Sequence, residues 1–132
     1  MTLADYFYIS GYMEITAAIE ALGALAQESR LKVFRLLVRQ GPAGMAAGDI
    51  ARALAVPNNT MSSHLATLSR AGLIGSRKES RSVIYAVDLD GTRALLSFLL
   101  EDCCRGKPDL CAGLIEATLA SCCPAPEACC PA

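Results

Sequence analysis

Apolar residues recur at helical spacing through the first half of this chain, switch to a strand-like pattern near residue 73, and return to helical spacing near residue 89. In residues 13–27, Ile15, Ile19, Leu22 and Ala26 fall at i, i+4, i+7 and i+11, a single stripe of one helix. Ser29 is placed to cap a second helix, "SRLKVFRLLVRQ", which Gly41-Pro42 stops. Its residues Leu31, Val33, Phe34, Leu36, Leu37 and Val38 cover most of the helix circumference, which predicts a central, buried element. "GPAGMAAG" reads as a linker. "GDIARALAV" (48–56) predicts a short helix and Pro57-Asn58 a turn. Asn58 or Asn59 then caps a further helix reaching about Ala71, where Gly72 supplies a left-handed stop. Ile50, Leu54, Met61, Leu65 and Leu68 face inward in this arrangement, a helix-turn-helix pattern.

The β-prone pairs Leu73-Ile74 and Val83–Val87 flank a polar tip at 78–82 and predict a hairpin. From Asp88 or Asp90 a helix should run to about Arg105, apolar nearly all round through Leu95, Leu96, Phe98, Leu99 and Leu100. Such a helix at the end of a domain implies burial against a second copy. Residues 108–121 can form one more helix, and the proline-rich tail "CCPAPEACCPA" should be irregular. The predicted organisation is a loose extension at 1–12, a domain at 13–105 and a cysteine-rich segment at 106–132. The element order, α-α-α-α-β-β-α, is that of a mainly α (α+β) winged helix-turn-helix.

Charge changes the picture from a fold to a partner. The overall net charge of −1 hides an asymmetry: residues 29–81 hold nine basic residues against two acidic ones, a local +7. The flanks, 1–28 and 82–132, carry −4 each. A basic centre between acidic ends suits double-stranded DNA. The second helix of the motif would enter the major groove, presenting Thr60, Ser63, Thr67 and Arg70, with Asn59 and Ser62 near its N-terminal end. Arg77, Lys78 and Arg81 on the hairpin would reach a neighbouring backbone or minor groove as a wing. Ser, Thr and Asn are poor helix formers, so their concentration here argues for contact with a partner rather than a surface role alone. His64, the chain's one histidine, is read as structural. The sequence shows no phosphate loop and no serine elbow, and its cysteines have no neighbouring base, so no enzyme is expected.

All seven cysteines fall in the last 30 residues: Cys103, Cys104, Cys111, Cys122, Cys123, Cys129 and Cys130. A secreted disulfide scaffold would spread its cysteines through the fold, and the odd number also argues against full pairing. Reduced thiols in a cytoplasmic protein follow as the expectation. The opening "MTLADYFYISGYMEIT" lacks the basic start of a signal peptide, and the longest strongly apolar run, "ALLSFLL", is far too short to span a bilayer.

"ALAQESRLKVFRLLV", "DIARALAVPNNTMSSHLATLSRAGLI" and the wing "RKESRSVIYAV" resemble the ArsR/SmtB family of metalloregulatory repressors over roughly residues 14–105. The resemblance implies a homodimer joined through its first and last long helices, and release of operator DNA on ligand binding. The best-known arsenic sensors of that family carry a cysteine pair on the first helix of the motif, where "GPAGMAAGDIARAL" has none. Its zinc sensors often carry Asp/His pairs on the last helix, which here has no histidine. Cys103, Cys104 and Cys111 are similar to the set in an arsenite-responsive subgroup, with a vicinal pair after the last core helix and a third cysteine further on.

Three thiolates suit As(III) or Sb(III), soft ions that bind as trigonal pyramids, whereas zinc prefers four ligands. These ions would act as inducer, with no constitutive cofactor. The pairs Cys122-Cys123 and Cys129-Cys130 are candidate accessory ligands or ion-delivery thiols, or have no role. Three other readings stay open: sensing of cadmium, lead, zinc or methylarsenite; a thiol redox or persulfide switch; and a metalloid-sequestering protein, which the +7 centre disfavours.

Overall fold

The computed structural model describes residues 13–100, in which the helices and strands follow the expected winged order with one addition. Helix α1 (Ile15–Leu25) and helix α2 (Glu28–Gln40) lead through a single 3₁₀ turn (Gly41–Ala43) to a two-residue strand, β1 (Met45–Ala46). Helix α3 (Ala47–Leu54) and helix α4 (Asn58–Arg70) form the helix-turn-helix. Strands β2 (Ile74–Glu79) and β3 (Ser82–Val87) form the hairpin, and helix α5 begins at Leu89 and is described to Leu100. The addition is β1. It lies in the stretch read as linker and pairs antiparallel with β3 (Met45 opposite Tyr85, Ala46 opposite Ile84), giving a three-stranded sheet in the order β1-β3-β2. Two residues carry no periodicity, so the sequence pattern could not reveal it.

The core is aliphatic and centred on the motif. Val33, Leu37, Ile50, Met61, Leu65, Leu68 and Leu73 are its largest fully buried side chains. Each removes from water an area contributing about 1.5–3 kcal/mol for residues of this size. Met61, Leu65 and Leu68 lie at i, i+4 and i+7 of α4, so one narrow stripe holds that helix and leaves the rest of its surface open.

Helix α1 keeps its large apolar stripe out of the core, and α2 is less buried than expected. In α1 the inward residues are Ala18, Ala21 and Ala24, whereas Ile15, Ile19 and Leu22 are 65%, 62% and 41% exposed. Alanines let α1 approach the core closely, and the larger residues are left outside. In α2 only Val33 and Leu37 are buried, while Leu31 and Val38 are exposed, so this helix is one wall of the core and not its centre.

Helix ends show their local causes. The cap of α2 is Gln27 and not Ser29: its Oε1 accepts from the Arg30 amide at 2.8 Å. Arg30 in turn donates from Nε to the Ala24 carbonyl at 2.7 Å, closing the C-terminal end of α1. The residue before α4 is Pro57, with fixed φ and no side-chain cap, so neither Asn58 nor Asn59 caps it. At its far end Gly72 (φ +78°) donates to Ser69 O and Leu73 to Leu68 O, the paired bonds of a Schellman stop. Asp88 caps α5, its Oδ1 accepting from the Gly91 amide at 3.0 Å. Gly91 lies so close to Gly72 that any Cβ there would overlap the Gly72 carbonyl, which seats the start of α5 against the end of α4.

Candidate nucleic-acid interface

The outward side of α4 is built by elimination. With Met61, Leu65 and Leu68 buried, Asn59, Thr60, Ser62, Ser63 and Arg70 are exposed and Thr67 is half-buried. The structure therefore brings the six residues expected to face DNA onto one helix, in the expected orientation. Their hydroxyls are oriented by the helix itself. Ser62 Oγ donates to Asn58 O at 2.9 Å, and Thr67 Oγ1 donates to Ser63 O at 3.0 Å. With the hydrogen directed back along the helix, each hydroxyl turns its lone pairs outward as acceptors for base amino groups. Arg70 Nη2 lies 3.4 Å from Thr67 Oγ1, which draws its side chain along the same face.

The N-terminal end of α4 adds a second kind of contact. Pro57 supplies no side-chain cap and Asn59 Oδ1 accepts from the Thr60 amide at 3.0 Å, so the amides of Asn58 and Asn59 remain to point toward whatever lies ahead of the helix. Such amides favour a phosphate through both hydrogen bonding and the helix dipole. The turn before it is held by Ala55 in the left-handed region (φ 54°, ψ 47°), with Val56 N–H bonded to Ala51 O at 3.0 Å. This turn fixes the angle between α3 and α4.

The hairpin divides the three basic wing residues. Strand alternation puts Lys78 with Ile74 and Ser76 on one face and Arg77 with Gly75 and Glu79 on the other. Arg81 sits in the two-residue tip beside Ser80, whose φ of 56° turns the chain. Lys78 and Arg81 are exposed and carry no ion pair to another described residue. Arg77 also makes bonds within the fold: Nη1 donates to Pro42 O at 3.1 Å, Nη2 to Ala43 O at 2.7 Å and Nε to Glu79 Oε1 at 3.3 Å. No local pattern marks the two carbonyl partners, which stand 34 and 35 positions away.

The remaining basic residues are similarly sorted. Lys32 pairs with Glu28 and Arg52 with Asp49, both at helical spacing and exposed, which limits each to a fraction of a kcal/mol. Arg35, Arg39 and Arg70 have no acidic partner among the described residues. His64 is half-buried on α4, and its ring makes no hydrogen bond to another described residue. All seven cysteines lie outside the described residues, as do the extension at 1–12 and the predicted helix at 108–121. Among the described residues no helix is long and apolar enough to cross a membrane.

Comparison with known proteins agrees with this geometry. A family model described as a helix-turn-helix domain matches residues 25–77, which span α2 through most of β2. The transcriptional activator HlyU of Vibrio cholerae is 30% identical over 82 residues, 62% of this chain and 73% of HlyU. A structure of reduced HlyU from the same organism superposes with a TM-score of 0.53 at 29% identity, covering 67% of this chain and 90% of that one. The homodimeric winged helix-turn-helix DNA-binding domain of Mb0332 from Mycobacterium bovis, a possible ArsR-family regulator, gives 0.53 at 25% identity, covering 67% and 82%. A structure described as a possible transcriptional regulator for arsenical resistance gives 0.54 at 25% identity, covering 61% and 80%. These relatives are established or possible regulators of transcription. The chain belongs to the ArsR family of winged helix-turn-helix, DNA-binding transcriptional regulators.

Proposed function

We propose that this regulator is a repressor that binds operator DNA as a homodimer and releases it when As(III) or Sb(III) is captured by Cys103, Cys104 and Cys111. The observation that carries the proposal is the state of α5. Leu96, Leu99 and Leu100 are 54%, 49% and 38% exposed, and Cys103 follows Leu100 by three positions. An apolar helix left open on a single copy calls for a partner surface. The exposed Ile15, Ile19 and Leu22 of α1 provide a second strip of the same kind. Pairing of two copies through these helices would hold the two recognition helices at a fixed spacing, as half-site binding requires. Homodimeric Mb0332 supports that reading.

The cysteines then stand where the pairing helix leaves its described length. Adjacent residues on a regular helix point about 100° apart, so a vicinal pair cannot easily grip one ion without a change in the helix end. Gly106 and Pro108, which follow directly, favour such a break. Capture of the ion would therefore strain the helix that joins the subunits, and a coupling of roughly 1–3 kcal/mol is the usual scale for such a link. The neighbour described by arsenical resistance supports the choice of ion. Cys122, Cys123, Cys129 and Cys130 would act as accessory thiols. The structure of HlyU in a stated reduced form favours one second reading, in which Cys103 or Cys104 forms a disulfide on oxidation and no ion is needed.

Operator binding by the full chain, followed with arsenite, cadmium, zinc and peroxide in turn, separates these readings. Release by arsenite that is lost in Cys103→Ser, with DNA binding kept, supports the metalloid trap. Release by peroxide alone supports the redox switch. Release of the Cys103→Ser variant by arsenite removes this cysteine from the site.

A further inference from the structure

Among side-chain hydrogen bonds between described residues, only those of Arg77 cross more than six positions of the sequence. Its guanidinium reaches the carbonyls of Pro42 and Ala43, two consecutive groups that the 3₁₀ turn leaves without partners of its own, since only Gly41 O is used within it. That turn runs straight into β1 and α3, so it is fixed to the helix-turn-helix. Pairing with β1 holds the β3 side of the hairpin, but beside β2 the packing is open. A cavity of about 410 Å³ lies between the hairpin, the turn and the start of α5, lined by Val38, Gly41, Pro42, Gly75, Ile84 and Leu89. Arg77 lines the same cavity and bonds to Pro42, another of its lining residues.

We propose that Arg77 is a positioning residue for DNA binding, a two-pronged strut that sets the angle of the wing to α4 and contacts no phosphate itself. This rests on the DNA-binding reading above. A planar guanidinium offers parallel N–H groups that match two neighbouring carbonyls, which the single ammonium of lysine cannot reproduce. A phosphate, in contrast, accepts lysine nearly as well as arginine. The two roles therefore separate in Arg77→Lys, which keeps the charge and removes the fork, beside Arg77→Gln, which removes both.

The test uses the full chain and a short duplex selected by the wild-type protein from a random-sequence pool. If Arg77 is a strut, both variants bind that duplex roughly tenfold more weakly, a loss on the scale of one charge-assisted hydrogen bond. The slope of log affinity against log salt stays at the wild-type value in Arg77→Lys. Without DNA, amide exchange at Lys78, Glu79, Ser82 and Val83 rises about tenfold in both variants while α4 is unchanged. Wild-type affinity in Arg77→Lys, with a slope lower by about one in Arg77→Gln, makes Arg77 a phosphate ligand and overturns the proposal. Unchanged exchange in the wing overturns it as well. If the wild-type chain selects no duplex, the DNA-binding reading fails, and the exchange experiment still decides whether Arg77 holds the wing.

Discussion

Gly44 occupies a position no larger residue can take. Its φ is +68°, and a Cβ would run into the carbonyl of Tyr85 on the neighbouring strand. Gly44→Ala therefore adds backbone strain of about 1–2 kcal/mol to an overpacking cost of about 1–3 kcal/mol, a loss to be read from the urea midpoint. Ala55 presents the opposite case, a residue with a Cβ held at φ 54° in the turn between α3 and α4. Ala55→Gly relieves that strain, while glycine gives up some of the gain through its freer unfolded chain. The expected outcome is a stability change between zero and about +1 kcal/mol with DNA affinity kept. Single-residue features of this kind were the least legible in the sequence. The cap at Gln27, the left-handed Ala55 and the bonds of Arg77 depend on where the backbone goes after it folds, and residue type alone does not report that. The stop at Gly72 was legible because glycine at the end of a helical pattern has few other roles, and the start of α5 was narrowed to Asp88 or Asp90, of which Asp88 is the cap.

At the scale of elements, the recognition helix was readable because its two faces differ in chemistry. Met61, Leu65 and Leu68 define the inside, and what remains is polar. Helix α1 was readable as a helix with one apolar stripe, and only the family resemblance assigned that stripe to a partner. Ala18, Ala21 and Ala24 weigh less in any hydrophobic pattern than Ile15, Ile19 and Leu22, yet the small residues pack inward and the large ones stay out. The sequence shows that a stripe is apolar, and it does not show whether that stripe meets the core or a second molecule. The exposed stripes make a direct prediction. Ile19→Glu or Leu96→Glu leaves the monomer fold intact, because neither side chain is buried, and shifts sedimentation from dimer to monomer. A dimer that persists in both variants places the interface elsewhere. For the wing, Lys78→Ala and Arg81→Ala should each lower the salt slope of DNA binding by about one while leaving sequence preference unchanged. Thr60→Ala and Ser63→Ala, on the face of α4, should change preference among duplexes more than they change the slope.

At the scale of the whole molecule, a rigid aliphatic core carries two exposed functions: a polar helix with its wing, and the apolar surfaces of α1 and α5. Loss of core packing should damage both together. Leu37→Ala, which empties a fully buried site, should cost about 2–5 kcal/mol and weaken DNA binding through the folded population rather than through the salt slope. The cysteine-rich segment is separate in composition as well as in position, since no cysteine occurs in the first 102 residues. Replacing the cysteines should therefore leave the fold and DNA binding intact while removing the proposed sensing function. Family membership was legible from the motif residues. The identity of the signal is not written there, because under the proposed function it depends on how Cys103, Cys104 and Cys111 are brought together.

Arsenic-edge X-ray absorption of the arsenite-loaded, full-length protein, recorded under conditions where it has released DNA, tests this account most directly. The account predicts three sulfur neighbours around each arsenic atom, falling in number when Cys103, Cys104 or Cys111 is replaced by serine. Oxygen or nitrogen neighbours in the loaded wild-type protein, or three sulfurs that persist in all three variants, would contradict it.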